Sequence, residues 1–329
     1  MATTNRHTPL ATIGILSIGD MGLGIAKLLK AKGFSVATNC QGRSQDTIDR
    51  AAEAHVNMLP SDVALVGACD VILSVVPPRD AEATAQRILD AVAVLPGARD
   101  PDAPPLHFAD MNAVAPSTSR AMAASFAKSG LPVAFVDGSI IGGPPTPLQG
   151  ESGEWSLPLM PASGPHKLAD LPRYGEQLTA ALRMRHISDE VGAASGLKMC
   201  FASMTKGYTA IALQAFTSAR RMGVLGDLQD AMRTVAGPAR LEQTEAGLVG
   251  MAPKAYRWVC EMEEIGKTHA EEGGFDGDLF RGVAGVYRTV ADDTVLGLEK
   301  VGKRVRGTTA DDIAQAMVEG MEAKRRKTE

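Results

Sequence analysis

The segment "TIGILSIGDMGLGIAKLL", residues 12–29, constrains the fold of this chain more than any other stretch. A short apolar, β-rich run leads into a glycine turn and then into a helical pattern, which is the order found at the start of a βαβ unit. The dinucleotide-binding fingerprint G-x-G-x-x-G is incomplete, because Ser17 stands where its first glycine belongs. The second and third glycines, Gly19 and Gly22, are present; they let the backbone approach a pyrophosphate and let the helix pack closely on the strand.

The same segment therefore predicts a nucleotide site at the start of a helix. Backbone N–H groups at a helix N-terminus can hold a pyrophosphate. The residues that we expect to do so are Gly19, Asp20, Met21 and Gly22. The alternative interpretation is a glycine-rich turn in an α/β protein that binds no nucleotide.

Strand and helix patterns alternate through the first half of the chain. Strands are predicted in "TIGILSI", "FSVATN", "DVILSVVPP", "LHFADMN", "VAFVDGSI", "SLPLMPAS" and "MRHIS", with helical patterns between the earlier ones. The run "DVILSVVPP" is almost continuously apolar, which is typical of a parallel strand buried on both faces. Alternating strands and helices predict right-handed crossovers and an open, mostly parallel sheet of the Rossmann type.

The pattern changes to helix alone near residue 190. A segment that begins at Gly192 could form one helix of roughly thirty residues, longer than the helices of globular domains usually are, and we expect it to join two domains. Four or more amphipathic helices follow, with breaks at Gly237-Pro238, at Pro253 and in "EEGGFDGD". The sequence thus predicts an α/β Rossmann-type domain, residues 1–190, followed by an all-helical domain, residues 191–329.

Composition and charge argue against several classes of partner. The chain has 329 residues and a net charge of −4, so it carries no basic footprint for nucleic acid. No apolar run is long enough to span a membrane, and the polar N-terminus lacks the apolar core of a secretory signal. The four cysteines and six histidines show neither CxxC nor metal-ligand spacing. This pattern indicates reduced thiols, no metal site and a cytoplasmic protein.

The end of the second predicted strand distinguishes between the two nicotinamide cofactors. An NAD-binding domain places Asp or Glu there to bind the ribose 2′-hydroxyl, but "TNCQGRSQDT" has no acid at the strand end. Arg43 and Ser44 follow instead, and a guanidinium is suited to the 2′-phosphate of NADP. We therefore predict NADP(H) as the cofactor; the alternative is that Arg43 is a solvated loop residue.

Four segments resemble motifs of the β-hydroxyacid dehydrogenases, the family of 3-hydroxyisobutyrate and 6-phosphogluconate dehydrogenases. "IGDMGLGIAKLL" is similar to the glycine turn of that family, "ADMNAVAP" to its D-x-S-T-x-x-P segment, "VDGSIIGG" to its D-x-P-x-S-G-G substrate loop and "VGAASGLKM" to its G-x-G-x-x-x-K segment. The four occur in the family's order, which is more specific than any one of them. The later segment "YRWVCEMEEIGKTHAEEG" resembles a phosphogluconate-dehydrogenase-like C-terminal domain.

The resemblance implies roles for individual residues. Lys198 would be the general acid/base, provided that its surroundings lower its pKa toward the working pH; the alternative is a lysine that snorkels from an interdomain helix. The N–H groups of Gly142 and Gly143 would bind substrate, and Asn112 would bond a substrate carboxylate or the nicotinamide amide. The family usually dimerises through its long helix and helical domain, which implies a homodimer. Besides the glycine turn, the residues assigned to the cofactor are Arg43, Ser44, Val76, Pro77 and Asn112.

Several polar positions of the family are changed in this chain. Ala202 stands where an asparagine often follows the lysine by one helical turn. Thr205 and Thr209 continue that helix face and could replace the lost contact, so we expect Thr205 at the substrate. Ile141 replaces the serine of the substrate loop, and Ala113 replaces the threonine of the D-x-S-T segment.

The acidic residues near the C-terminal domain allow two interpretations. Glu263 and Glu264 stand where simpler family members carry a Lys-Asp pair, and we expect Glu264 in the substrate site. Alternatively, Glu261, Glu263 and Glu264 form a helix face, with Trp258 in the core. A substrate less anionic than a simple hydroxyacid, or one held differently, would suit the changed positions.

The predicted function is that of an NADP(H)-dependent oxidoreductase. It would transfer hydride between the nicotinamide and a hydroxy or keto group of a small, β-hydroxyacid-like molecule. Three alternatives stay open: oxidative decarboxylation of the phosphogluconate type, imine reduction on the same scaffold, and a non-catalytic NADPH-binding sensor. Lys198 favours an enzyme over a sensor, and it disfavours imine reduction because imine reductases usually carry Asp or Tyr at that position.

Overall fold

The computed structural model describes residues 8–95, 104–149, 153–299 and 304–328. The chain divides into two compact units, Met1–Lys198 and Met199–Glu329. The predicted boundary at residue 190 precedes the long helix, whereas this division falls inside the helix, after Lys198. The first turns of the long helix are therefore part of the first unit.

The first unit is built on one eight-stranded sheet with helices on both faces. Its elements are β1 (Thr12–Leu16), α1 (Asp20–Ala31), β2 (Ser35–Asn39), α2 (Gln45–Glu53), β3 (Asn57–Leu59), α3 (Asp62–Ala68), β4 (Val71–Ser74), α4 (Ala81–Ala93), β5 (Leu106–Asp110), α5 (Pro116–Ser129), β6 (Val133–Gly138), β7 (Thr146–Pro147), β8 (Trp155–Ser156), β9 (Met160–Ser163), α6 (Gly175–Ala181) and β10 (Met184–Ser188). Short 3-10 turns lie at Pro78–Asp80 and Leu168–Asp170.

The strand order is β10-β9-β6-β5-β4-β1-β2-β3, and β7 pairs with β8 in a separate antiparallel ribbon. Every neighbouring pair of the large sheet is parallel except β6 with β9. The chain moves outward from β1 to β2 and β3, then returns to β4 on the other side of β1. This reversal places a ligand crevice beyond the carboxyl ends of β1 and β4. The predicted mostly parallel sheet of the Rossmann type is confirmed.

Some local elements differ from the sequence prediction. The strand expected in "SLPLMPAS" is divided between Ser156, the last residue of β8, and β9, which begins at Met160. Leu159 forms an isolated bridge with Ile141 instead. The sequence analysis did not identify β3, α3 or α6, each of which has seven residues or fewer.

Two hydrophobic layers hold the helices to the sheet. On one face, Ile13 and Ile15 of β1 pack with Ile25, Leu28 and Leu29 of α1. The other face carries a cluster from β4, β5, β6, α4 and α5, which includes Ile72, Ile88, Phe108, Phe126 and Phe135. Because both faces are covered, the central strands are mostly apolar up to their carboxyl ends. The carboxyl ends of the strands remain as the place where polar residues can gather.

A helix of 30 residues, α7 (Ala193–Met222), begins in the first unit and continues into the second. It is followed by α8 (Leu225–Val235), α9 (Pro238–Met251), α10 (Ala255–Glu271), α11 (Asp278–Asp293) and α12 (Ala310–Thr328), with 3-10 turns at Ala252–Lys254 and Val295–Leu298. The helices are interrupted where the sequence predicts, before Pro238, around Pro253 and after Glu271. The predicted long helix and all-helical second part are confirmed. None of the described helices has the length and hydropathy needed to cross a bilayer.

Candidate functional site

The carboxyl ends of four strands lie side by side beneath the candidate site. The pairing register places Leu16 of β1, Ser74 of β4, Asp110 of β5 and Asp137 of β6 in one row across the sheet. All four side chains are buried. The segments that follow these strands carry most of the predicted site residues, so they begin from one edge of the sheet.

The glycine turn follows β1 and begins α1. A Cβ at Gly22 would lie 1.9 Å from the carbonyl oxygen of Ser17, so only glycine permits this contact between helix and turn. A Cβ at Gly19 would meet no described atom within 4 Å. Gly19 is also the N-cap of α1 and makes no side-chain capping bond. The N–H groups of the first turn thus receive no side-chain cap and can hold an anion such as a pyrophosphate.

The end of β2 carries an amide rather than a carboxylate. Asn39 is buried; its Nδ2 donates to Oδ1 of Asp62 at 2.8 Å, and its Oδ1 accepts the N–H of Gln41 at 2.9 Å. Nη2 of Arg87 lies 2.7 Å from Oδ2 of Asp62. The carboxylate that contacts the strand end is therefore already paired with a guanidinium.

The loop after β2 presents the two residues predicted to bind a 2′-phosphate. The N–H of Arg43 donates to the carbonyl of Cys40 at 3.0 Å and closes a turn. Ser44 is the N-cap of α2; its Oγ makes no capping bond and lies 3.1 Å from Oγ1 of Thr47. Burial raises the pKa of the Cys40 thiol, and the positive charge of Arg43 opposes that rise. The loop thus presents a guanidinium and a hydroxyl at the start of a helix.

Asn112 follows β5 and connects the ends of two strands. Its Oδ1 accepts the N–H of Val76 at 2.7 Å, and its Nδ2 donates to Oγ of Ser74 at 3.0 Å and to Oδ1 of Asp110. The side chain is buried, so these protein contacts occupy its amide. Asn112 therefore holds Val76, and with it the adjoining Pro77, in place. A direct contact of Asn112 with substrate or cofactor stays a prediction.

Asp110 is a buried carboxyl group at the end of β5. Burial raises the pKa of Asp110 from 3.8 to about 7; the hydrogen bond from Asn112 lowers this pKa, and the neighbouring Asp137 raises it. Its Oδ2 has no hydrogen-bond partner among the described residues. A substantial fraction of the Asp110 carboxyl is therefore protonated at neutral pH.

The titration of Asp110 should make the protein less stable as the pH rises from about 4 to about 7. With a pKa of about 7 when folded and 3.8 when unfolded, the folded state binds more protons in this window, so the free energy of unfolding falls. The contribution is fully present below about pH 4 and is lost through pH 7; it amounts to about 4 kcal/mol. Urea denaturation across this range measures it. Asp110→Asn cannot titrate and should show a flatter profile, and an unchanged profile would contradict the assignment.

Asp137, at the end of β6, binds the start of the long helix. Its carboxylate is fully buried and accepts hydrogen bonds from three hydroxyls and three backbone N–H groups, all 2.6–3.3 Å away. A carboxylate in this place accepts hydrogen bonds from N–H groups that the first turn of α7 leaves unpaired. Its negative charge also interacts favourably with the positive end of the helix dipole. The donors are the hydroxyls of Ser119, Ser163 and Ser195 and the N–H groups of Gly192, Ala194 and Ser195.

Lys198 lies one turn beyond the residues that Asp137 holds. Its Nζ donates to the carbonyl oxygen of Ile140 at 2.8 Å. Oγ of Ser139 donates to the carbonyl oxygen of Ala194 at 2.9 Å. The segment from Asp137 to Ile140 therefore holds both the start of α7 and the amine of Lys198.

The loop after Ile140 contains the predicted substrate-binding glycines. Ile141 exchanges two backbone hydrogen bonds with Leu159, at 2.8 and 2.9 Å, so its N–H is used. Gly142 has a φ of +128°, a conformation that favours glycine, and Gly143 is exposed. Within the described part of the chain, the N–H groups of Gly142 and Gly143 donate to no protein acceptor. They remain available beside the carbonyl that binds Lys198.

Thr205 and Glu264, the other residues predicted at the substrate, belong to the second unit. Oγ1 of Thr205 lies 3.3 Å from the carbonyl oxygens of both Phe201 and Ala202, so the hydroxyl bonds to its own helix. Oγ1 of Thr209 does the same with the carbonyl of Thr205 at 3.1 Å. Glu264 is half-buried. Their contact with substrate stays a prediction.

The acidic residues of α10 have different environments. Glu261 is buried and pairs with Lys206, whose Nζ lies 4.8 Å from the centre of the Trp258 ring. Trp258 meets the buried ring of Tyr287 edge-on at 5.2 Å, and the Tyr287 hydroxyl donates to the carbonyl of Lys206. Glu263, in contrast, is exposed. Glu261 and Trp258 therefore contribute to the packing of the second unit.

Asp110 and Asp137 are site residues that were not predicted from the sequence. The available signal was that each is the charged last member of an otherwise apolar run, "LHFAD" and "VAFVD". A buried charge must be paired or neutralised, and both residues face groups that are distant in sequence. Among the described residues, no cluster of three or more His, Cys, Asp or Glu side chains could hold a metal ion.

Known proteins match the chain in both units. Residues 12–164 match the NAD binding domain of 6-phosphogluconate dehydrogenase, and residues 219–290 match a domain of unknown function, DUF1932. An uncharacterized 28.5 kDa protein in the 7S RNA 5′ region of Methanothermus fervidus is 25% identical over 262 residues, which are 78% of this chain and 91% of that protein.

Solved structures with low sequence identity share the fold. The 3-hydroxyisobutyrate dehydrogenase of Salmonella typhimurium is 20% identical, with a TM-score of 0.64 over 93% of this chain and 99% of that chain. The imine reductase of Myxococcus stipitatus in complex with NADP+ is 15% identical, with a TM-score of 0.50 over 93% and 99% of the two chains. Together with the family matches, these folds confirm the expected resemblance.

Proposed function

We propose that the chain is an NADP(H)-dependent oxidoreductase, from the premise that its residues 12–164 match the NAD binding domain of 6-phosphogluconate dehydrogenase. It transfers hydride between the nicotinamide and a hydroxy or keto carbon of a small molecule of the β-hydroxyacid type. The observation that supports this proposal most directly is the position of Lys198. Its Nζ is held at the carbonyl of Ile140, 2.8 Å away, and the N–H groups of Gly142 and Gly143, two and three residues further along the same loop, donate to no acceptor among the described residues.

In the proposed reaction, Lys198 moves the proton. During oxidation its free amine takes the proton of the substrate hydroxyl, and during reduction its ammonium group returns that proton to the carbonyl oxygen. A bound nicotinamide accepts or supplies the hydride. The carbonyl of Ile140 orients Nζ, and the N–H groups of Gly142 and Gly143 bind a substrate oxygen. Such positioning lowers the entropic cost of bringing the reacting groups together.

The described residues fit the proposed cofactor. The uncapped first turn of α1, from Gly19 to Gly22, suits the pyrophosphate. The end of β2 lacks the carboxylate expected for NAD, and Arg43 with Ser44 suits a 2′-phosphate. Val76 and Pro77 follow β4 at the same sheet edge, where Asn112 holds the N–H of Val76.

Arg43→Ala should weaken NADPH binding about 10- to 100-fold, because a lost hydrogen bond to a charged group costs about 1.5–3 kcal/mol. NADH lacks the 2′-phosphate, so its dissociation constant should change little. Titrations that follow nicotinamide fluorescence measure both constants. Lys128→Ala, at the exposed end of α5, is the matched control, because it also removes one positive charge. It should change neither dissociation constant. Equal losses of affinity for the two cofactors would mean that Arg43 does not bind the 2′-phosphate.

The substrate site is proposed to favour molecules less anionic than simple hydroxyacids. Ile141 and Ala202 replace polar residues that the resemblance leads one to expect, and both are apolar. The remaining residues proposed to contact the substrate are Thr205 and Glu264.

The protein is also proposed to assemble as a homodimer.

The proposed function is tested by the absorbance of NADPH with purified protein and a panel of β-keto acids, β-hydroxy acids, aldehydes and imines. We expect turnover with a hydroxy or keto compound. Release of carbon dioxide with a β-hydroxyacid would indicate the phosphogluconate type of reaction instead. Turnover with imines alone would indicate an imine reductase, and NADPH binding without turnover on the whole panel would indicate a sensor.

A further inference from the structure

Arg50, in the middle of α2, connects two places that are distant in the sequence. Its side chain is half-buried, and its Nε donates to the carbonyl oxygen of Ile18 at 3.1 Å. Its Nη2 donates to Oγ1 of Thr47 at 3.2 Å, and that oxygen lies 3.1 Å from Oγ of Ser44. A continuous chain of polar contacts therefore runs from the glycine turn to the N-cap of α2.

The carbonyl that Arg50 holds belongs to the peptide between Ile18 and Gly19. This peptide is trans, so its N–H, which is that of Gly19, points away from its carbonyl. Pinning the carbonyl toward α2 therefore fixes the direction of the Gly19 N–H on the opposite side. That N–H donates to no acceptor in the described part of the chain.

Sterics alone do not fix the orientation of this peptide. Glycine rotates more freely than any other residue, and a Cβ at Gly19 would touch no described atom within 4 Å. Gly22 differs from Gly19, since a Cβ at Gly22 would lie 1.9 Å from the carbonyl oxygen of Ser17. The hydrogen bond from Arg50 is thus a directional restraint on the peptide between Ile18 and Gly19.

The charge of Arg50 adds to this restraint. Among the described residues, Arg50 forms no ion pair with a carboxylate, and neither does Arg43. A guanidinium beside the glycine turn contributes positive potential there, which favours a bound anion. The residue thus acts both by orienting a donor and by its own charge.

We propose that Arg50 is a positioning residue for the cofactor, which orients the Gly19 N–H toward the pyrophosphate and ties the glycine turn to the start of α2. This inference rests on the proposed function. It assigns Arg50 a role different from that of Arg43: Arg43 distinguishes NADP from NAD, whereas Arg50 serves the pyrophosphate that both cofactors share.

The test compares Arg50→Met with Arg43→Ala in the full-length protein, using fluorescence titrations with NADPH and with NADH. Methionine keeps most of the aliphatic stem of Arg50 and removes its donors. We expect Arg50→Met to weaken both cofactors by about tenfold and by the same factor. Arg50→Lys, which can still donate to the carbonyl of Ile18, should recover part of the affinity for both.

Lys30→Met is the matched control. Nζ of Lys30 donates to the carbonyls of Ala54 and His55, at 2.8 and 2.6 Å, so it ties α1 to the far end of α2 in the same way. We expect a loss of thermal stability in this variant, as in Arg50→Met, but unchanged dissociation constants. The comparison separates cofactor positioning from a purely structural tether.

Three outcomes would overturn the assignment. If Arg50→Met weakens NADPH alone, or Arg50→Lys restores NADPH alone, Arg50 contacts the 2′-phosphate directly and is not a positioning residue. If Arg50→Met behaves like Lys30→Met, its contacts are structural only. If the unmodified protein binds neither cofactor, the proposed function fails and the role of Arg50 fails with it. If the unmodified protein binds both cofactors, the variants test the role of Arg50 independently of the proposed function.

Discussion

Lys198→Ala should lower kcat by about 10²- to 10⁴-fold, the usual contribution of a positioned acid/base to a proton transfer, while NADPH affinity changes by less than about twofold. The amine is the group that the structure holds against Ile140, at 2.8 Å, beside the N–H groups of Gly142 and Gly143. Removing it leaves the glycine turn and the loop after β2 intact. Stopped-flow measurement of NADPH consumption and a binding titration provide the two values.

Lys198→Arg makes the test more specific. Arginine keeps the positive charge but does not give up its proton at neutral pH, so this variant should be nearly as slow as Lys198→Ala if proton transfer is the role of the residue. Lys27→Ala, on an exposed position of α1, should retain full activity. Turnover that survives in Lys198→Ala would exclude the proposed mechanism, and full activity in Lys198→Arg would show that only the charge matters.

Asp137→Ala should reduce the free energy of unfolding by more than about 5 kcal/mol, because each buried donor left without an acceptor costs about 1–3 kcal/mol. The carboxylate accepts three hydroxyls and three backbone N–H groups. Those N–H groups start α7, the helix that carries Lys198. Urea denaturation measures the stability, and the yield of folded protein should fall with it.

Asp137→Asn keeps the shape and one acceptor oxygen and is expected to fold. Its amide NH₂ replaces an oxygen that accepts hydrogen bonds, so we expect lower stability than the wild type and a lower kcat, since the start of α7 is held less firmly. Asp189→Asn, at an exposed carboxylate that also accepts side-chain hydrogen bonds, should be close to wild type in both. Stability in Asp137→Asn equal to that of Asp189→Asn would mean that the network is not needed.

Periodicity predicted the larger elements because their physical causes are local. The central parallel strands are mostly apolar, as burial on both faces requires, and the long helix has no proline to interrupt it. The helix α3 was missed because its apolar residues, "DVALVGA", are separated from the apolar strand "VILS" only by Cys69 and Asp70. A buried helix segment and a buried strand cannot be separated by pattern when both are short.

The site was predicted where a motif alone determines chemistry. Gly22 is glycine because the backbone of Ser17 lies where its Cβ would be, and the fingerprint encodes that contact directly. Asn112 was predicted to bond a substrate carboxylate or the nicotinamide amide, and the structure adds that its amide contacts Val76, Ser74 and Asp110. A sequence names the donors and acceptors of a side chain but not the partners that occupy them.

The sequence by itself determined the Rossmann-type sheet, the long helix and the helical second part, together with the glycine turn and the lysine at the start of α7. These features follow from periodicity, from turn chemistry and from motifs within a few residues of one another. Only the tertiary structure decided that Asp137 caps the helix of Lys198, that Asp110 is buried with a raised pKa, and that Arg50 holds the glycine turn. Each of these features joins residues separated by more than twenty-five positions or depends on burial between strands. The pairing of the strands and the packing of the helices on the sheet together bring such groups within hydrogen-bonding distance.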